Sequence, residues 1–98
     1  MPRPKMTKSS GNIFADLGFA EPESEHLRIR SLLIIRLRQL IEARGLTQKE
    51  AAALFGVTQP RVSDLVRGKI DRFSIDTLVE MLASAGAHVE ISVEGVPA

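Results

Sequence analysis

A chain of 98 residues, 44% apolar and 26% charged, has the size and composition of one soluble globular domain with a single modest core. It contains no cysteine, which excludes disulfides, thiolate zinc sites and a cysteine nucleophile, and apolar runs such as residues 32–35 are far too short to cross a membrane. The net charge of +1 is unevenly spread: residues 26–44 carry +4 and 45–72 carry +2, between acidic stretches at 16–25 and 73–98 that carry −4 each, which suggests one face for a polyanion.

The first ten residues hold two Pro, three cations and two Ser and are expected to be flexible. They lack the apolar segment of a secretory signal, so the expected location is the cytoplasm. In "GNIFADLGF", Asn12 is placed to cap one helical turn carrying Ile13, Phe14 and Leu17, with Gly18 as its stop. Two of the chain's four aromatics lie here, so this segment should dock on the rest; residues 1–22 read as a flexible basic start plus this docking piece.

"AEPES" is a helix-start signal, with Pro22 and acidic residues in the first turn, and predicts a long helix from about Glu23 to Ala43, stopped at Gly45. Ile29, Leu33, Leu37, Leu40 and Ile41 form its core stripe. Leu32 and Ile35 fall outside that stripe and need a second cover, supplied either by the N-terminal turn or by an interface with another chain.

Thr47 with Glu50 makes a capping box for a helix over 48–55, stopped at Gly56. Thr58 caps a helix over 59–67, stopped at Gly68, and Ser74 caps another over about 75–85 with Ile75, Leu78, Val79 and Leu82 inward. Last, "HVEISVE" alternates strictly, with Val89, Ile91 and Val93 on one side, and predicts a half-buried strand in the terminal segment 87–98. A single strand has unpaired backbone groups and no mate in its own chain, so pairing with another chain is expected.

Two short helices joined by a glycine turn, covered by a third apolar helix face, describe a helix-turn-helix within residues 23–86. Ala52 lies where the two short helices cross, Gly56 supplies the left-handed turn, Val57 and Val62 fill the gap, and Leu65 and Val66 root the second helix. Gln59, Pro60, Arg61, Ser63, Asp64 and Arg67 are left facing outward, and apart from Pro60 they are residues that hydrogen-bond rather than pack. Pro60 costs little, because a first-turn N–H has no partner within the helix.

"RLRQLIEARGLTQKEAAALFGVTQPRVSDLVRGK" followed by "FSIDTLVEMLASAG" resembles the Xre/Cro-type helix-turn-helix family over roughly residues 31–86, with Gln48, Ala52, Gly56, Gln59, Val62 and Leu65 at the family's spacing. The flanking "NIFADLGF" and the terminal strand resemble antitoxins of the HigA type, which are encoded with RelE-like toxins. The resemblance implies an all-α, lambda-repressor-like domain with an N-terminal extension and one short C-terminal β-strand. It implies a homodimer that binds a double-stranded DNA operator with an inverted repeat and represses its own operon, with a RelE-like toxin as partner. Gln48 and the Thr58 backbone would hold phosphates; Gln59, Pro60, Arg61, Ser63 and Asp64 would face base edges; Arg67 and Lys69 would hold the backbone downstream. For Asp64 two uses stay open: accepting from cytosine, or orienting Arg61 or Arg67.

Two other readings stand beside this one, a stand-alone phage-type regulator without a toxin and a protein-interaction module. The arginines of the long helix (Arg28, Arg30, Arg36, Arg38, Arg44) are expected to be solvated or paired with acidic neighbours. His26 and His88 have no metal-spaced neighbours, the carboxylates form no acid/base pair at readable spacing, and no Gly-rich phosphate loop is present, so neither cofactor nor enzymatic activity is expected.

Overall fold

The computed structural model describes residues 13–18 and 20–95. The expectations for the basic first ten residues, for Asn12 as a cap and for the last three residues fall outside them. Among the described residues five α-helices follow in chain order: α1 (Ile13–Asp16), α2 (Glu23–Arg44), α3 (Gln48–Phe55), α4 (Gln59–Val66) and α5 (Ile75–Ser84), with a 3-10 turn at Ile70–Arg72 that no signal in the sequence marks.

Local chemistry accounts for the boundaries. The Thr47 hydroxyl accepts from the Glu50 N–H at 3.1 Å while the Glu50 carboxylate accepts from the Thr47 N–H at 2.9 Å, so the capping box forms. Ser74 caps α5 by accepting from the Thr77 N–H at 3.1 Å. Thr58 departs from expectation, since its side chain makes no capping bond. Pro60 removes one of the two N–H groups a cap would satisfy, and the other, on Arg61, is taken by the Thr58 carbonyl at 3.1 Å. Replacing Thr47 with Ala is therefore expected to cost about 1 kcal/mol, and the same change at Thr58 clearly less, read as shifts in denaturant midpoint. Equal losses would contradict this difference.

The core joins α2, α3, α4 and α5. Leu37, Ala51, Val62, Leu65 and Leu78 are fully buried, with Ile34, Phe55, Phe73, Met81 and Leu82 around them. Leu33, Leu40 and Ile41 pack against this cluster as expected, but Ile34, absent from the expected stripe, is the more deeply buried. It stands only about 20° from Ile41 on a helical wheel, so α5 and the short helices wrap further round α2 than five apolar positions indicate. Val66 is the opposite case: expected as a root of α4, it is 37% exposed. Leu65 and Val66 flank Val62 on opposite sides, and only the Leu65 side turns into the core.

The predicted C-terminal strand is corrected. Residues 87–94 form neither helix nor strand, and no strand occurs among the described residues. A ladder needs a second strand, and the described residues supply none. Val89 packs on the core, but Ile91 and Val93 stay 83% and 77% exposed. At the other end α1 lies against α2 with Phe14 half-buried, while Ile13, Leu17, Leu32 and Ile35 remain exposed, so the described part of the N-terminal turn does not cover Leu32 and Ile35.

On α2 the arginines are mostly engaged. Arg28 bonds the Glu25 carboxylate at 2.6 Å and holds its carboxyl below the usual carboxylate range, chiefly through that side-chain hydrogen bond. Both groups face solvent, so the pair contributes little to stability. Arg36 bonds Gln39 instead of an acidic neighbour.

Candidate nucleic-acid interface

α4 is seated by Val62 and Leu65 and packs against α3, whose buried residues are Ala51, Ala52 and Phe55. The turn between them rests on Gly56, whose φ of 71° is the left-handed conformation that a Cβ disfavours, and an added Cβ would stand 3.5 Å from the Ser84 hydroxyl of α5. With the apolar side committed, the opposite side of α4 is fixed by geometry. Gln59 and Pro60 are exposed in its first turn, Arg61, Ser63 and Asp64 are half-buried along it, and Arg67 is exposed at its C-cap. Gln48 is exposed at the start of α3, Thr58 at the N-cap of α4, and Lys69 precedes the 3-10 turn. The nine residues thus lie on the helix pair and the connection that follows it.

Two of them have partners that the sequence did not reveal. The Arg61 guanidinium lies over the Phe73 ring, 4.8 Å from its centroid, and its Nη1 donates to the Arg72 carbonyl at 2.9 Å. Asp64 pairs with neither Arg61 nor Arg67; its Oδ2 accepts from Arg72 Nη1 at 3.4 Å. From the other side, Arg30 of α2 donates to the carbonyls of Ile70 and Phe73 at 3.3 and 3.5 Å, so it braces the turn instead of pairing with an acid. Arg30, Arg72 and Phe73 were not legible as site residues. Their partners lie 8 to 43 residues away, and no periodicity marks such contacts.

A family profile described as "Helix-turn-helix domain" matches residues 13–94. The chain belongs to this helix-turn-helix family. Among curated proteins it is similar to "Putative antitoxin HigA2" of Mycobacterium tuberculosis (strain ATCC 25618 / H37Rv), 38% identical over 58 residues, which are 59% of this chain and 57% of that protein. It is also similar to "Putative antitoxin HigA3" of the same organism, 36% identical over 80 residues, 81% of this chain and 72% of that protein. The chain thus spans little more than half the length of the first relative and almost three quarters of the second. The solved structure of a "Putative XRE Family Transcriptional Regulator" superposes with a TM-score of 0.71 at 33% identity, covering 78% of this chain and 85% of the other.

The chain therefore carries an Xre-type helix-turn-helix domain with putative antitoxins of the HigA type among its relatives, and its family and fold are those of DNA-binding regulators rather than enzymes. No helix among the described residues is long and apolar enough to cross a membrane. The five apolar residues expected at interfaces divide into two places in the helix-turn-helix domain. Leu32 lies in a groove between α2 and α5 whose other wall is the tail bearing Val89, Ile91 and Val93. Ile35 lies in a separate shallow groove with Arg38, Gln39, Ile41, Glu42 and Val66.

Proposed function

We propose that this regulator represses its own operon by binding an inverted-repeat operator as a homodimer, and that it is the antitoxin of a toxin–antitoxin pair with a RelE-like toxin as its partner. The observation that carries the DNA half of this reading is the outward face of α4, polar and ordered on a helix anchored by Val62 and Leu65. Gln59, Pro60 and Ser63 face base edges in the major groove, where a Gln amide matches adenine bidentately. Gln48, the Thr58 backbone, Arg67 and Lys69 hold phosphates. Arg61 keeps donors for a base edge: of its five N–H groups one is committed within the described residues. The antitoxin half draws support from the names of the two mycobacterial relatives. A stand-alone regulator is the second reading, favoured by the likeness to a solved protein named only as a transcriptional regulator. A small RelE-like reading frame beside the gene, and a stable complex on co-expression, separate the two.

A dimer places two α4 helices one helical turn apart, roughly 34 Å or ~10 bp between half-site centres. Selection from random duplexes is expected to return an inverted repeat with that spacing. Gln59→Ala is expected to cost about 1–3 kcal/mol per half-site and blur one position in each. Lys69→Ala should weaken all sequences alike. A featureless or asymmetric consensus counts against the dimer, and variants that behave alike count against these roles.

A further inference from the structure

We propose that Arg72, on the 3-10 turn after α4, is a DNA-backbone contact, and that Asp64 is the residue that positions it and does not itself read a base. This inference rests on the DNA-binding face proposed above and adds to it a residue from outside the helix pair.

The Asp64 side chain is only 19% exposed, and its carboxylate is directed along α4 to Arg72, whose own side chain is 54% exposed. To accept from a cytosine amine with its other oxygen, Asp64 would have to bring a largely buried carboxylate into a groove lined by phosphates, which repel it. Left paired, it is electrically silent, and the guanidinium it holds still presents most of its five N–H donors outward in a planar fork that matches phosphate oxygens.

The backbone beneath Arg72 is also fixed from two directions. Arg61 reaches over the Phe73 ring to the Arg72 carbonyl, and Arg30 reaches across from α2 to the carbonyls on either side, at Ile70 and Phe73. The Phe73 N–H closes the turn onto the Ile70 carbonyl at 3.1 Å. Two arginines and one carboxylate thus converge on the three-residue turn that carries Arg72. A long cationic side chain on a loose loop loses rotamer freedom when it binds, whereas one leaving a braced turn and tethered at its tip has already lost it. The Asp64 pair therefore sets where Arg72 points relative to α4.

The test combines salt titrations with duplex selection on the full chain. Arg72→Gln is expected to lower the slope of log affinity against log salt by about 0.9 per protomer, equally on cognate and scrambled duplexes, while Arg72→Lys keeps the slope. Asp64→Asn is expected to leave the selected consensus unchanged at every position. It removes a repulsive charge and the Arg72 tether together, so its effect on affinity depends on Arg72. In the Arg72→Gln background it should strengthen binding, and with Arg72 present it should be less favourable by about two- to fivefold. A consensus altered at one base pair by Asp64→Asn would make Asp64 a base reader and overturn the proposal. So would an Arg72→Gln slope equal to that of the unaltered protein, or strict additivity of the two changes. Failure of the unaltered protein to select any consensus would instead overturn the reading of the α4 face. Circular dichroism melts of each variant separate these outcomes from misfolding.

Discussion

Phe73→Ala is expected to destabilise the domain by about 3–5 kcal/mol, the largest loss from any single truncation near the DNA-facing surface. The ring is 2% exposed and belongs to the core cluster, so its removal leaves a cavity that the neighbouring helices fill only in part. It is also the platform on which Arg61 lies. A domain of this size has only about 5–15 kcal/mol to lose, so the variant should melt more than about 10 °C lower. Arg61→Ala removes the cation–π contact and the bond to the Arg72 carbonyl but leaves the core intact, so it should cost about 0.5–2 kcal/mol. Denaturant titrations of both variants measure the ratio. A Phe73→Ala loss below about 1 kcal/mol would mean that the ring is not the support the geometry makes it. A loss at Arg61 as large as that at Phe73 would mean that the turn, not the core, limits stability.

The contrast between Phe73 and Thr47 shows how much of this protein was legible in its sequence. Signals that act within one helical turn were readable: the Thr47–Glu50 box, the Ser74 cap and the glycine stops place α3 where it was expected and the other long elements within a residue or two. Burial that follows from periodicity was mostly readable, as at Leu37, Val62 and Leu65, and failed at the margins of a stripe, where the neighbours decide. Ile34 was drawn inward and Val66 left at a rim for that reason. The long-range polar contacts were not readable at all. Nothing in "RGKIDRF" announces a 3-10 turn, or that Arg30 some 40 residues earlier caps its carbonyls. Most of the nine expected site residues lie together on the helix pair because a helix places its outward face by the same periodicity that places its inward one, with Lys69 on the connection that follows. The direction in which Arg61 and Asp64 turn depended on Arg72 and Phe73, and that is a tertiary property. The terminal strand failed for a different reason: alternation states which side chains want cover but not whether a mate exists.

Ending the chain after Val89 is expected to convert the proposed dimer to a monomer and to weaken operator binding by about a hundredfold or more, while the helices stay folded. Val89 is kept because it packs on the core, and Ala87 because its N–H closes the end of α5 on the Leu82 carbonyl at 2.9 Å. Among the described residues that are removed, Ile91 and Val93 are largely exposed and residues 90–94 form no regular element. Their alternation with Glu90, Ser92 and Glu94 gives one apolar edge, beside a groove that already contains Leu32, Ile29 and Val79. A second copy related by a two-fold axis could lay its tail antiparallel to this one, supplying the missing ladder and covering Ile91, Val93 and Leu32 together. DNA binding then depends on the tail through geometry alone, since a monomer engages one half-site and loses the advantage of linked binding. Sedimentation velocity at micromolar protein and titration of a full operator read the two effects separately. The paired substitution Ile91→Ser and Val93→Ser should reproduce both without shortening the chain. A truncated protein that still sediments as a dimer would reassign the tail to the other proposed partner, as a strand added to the exposed sheet edge of a toxin, and would leave the dimer contact to the Ile35–Val66 groove.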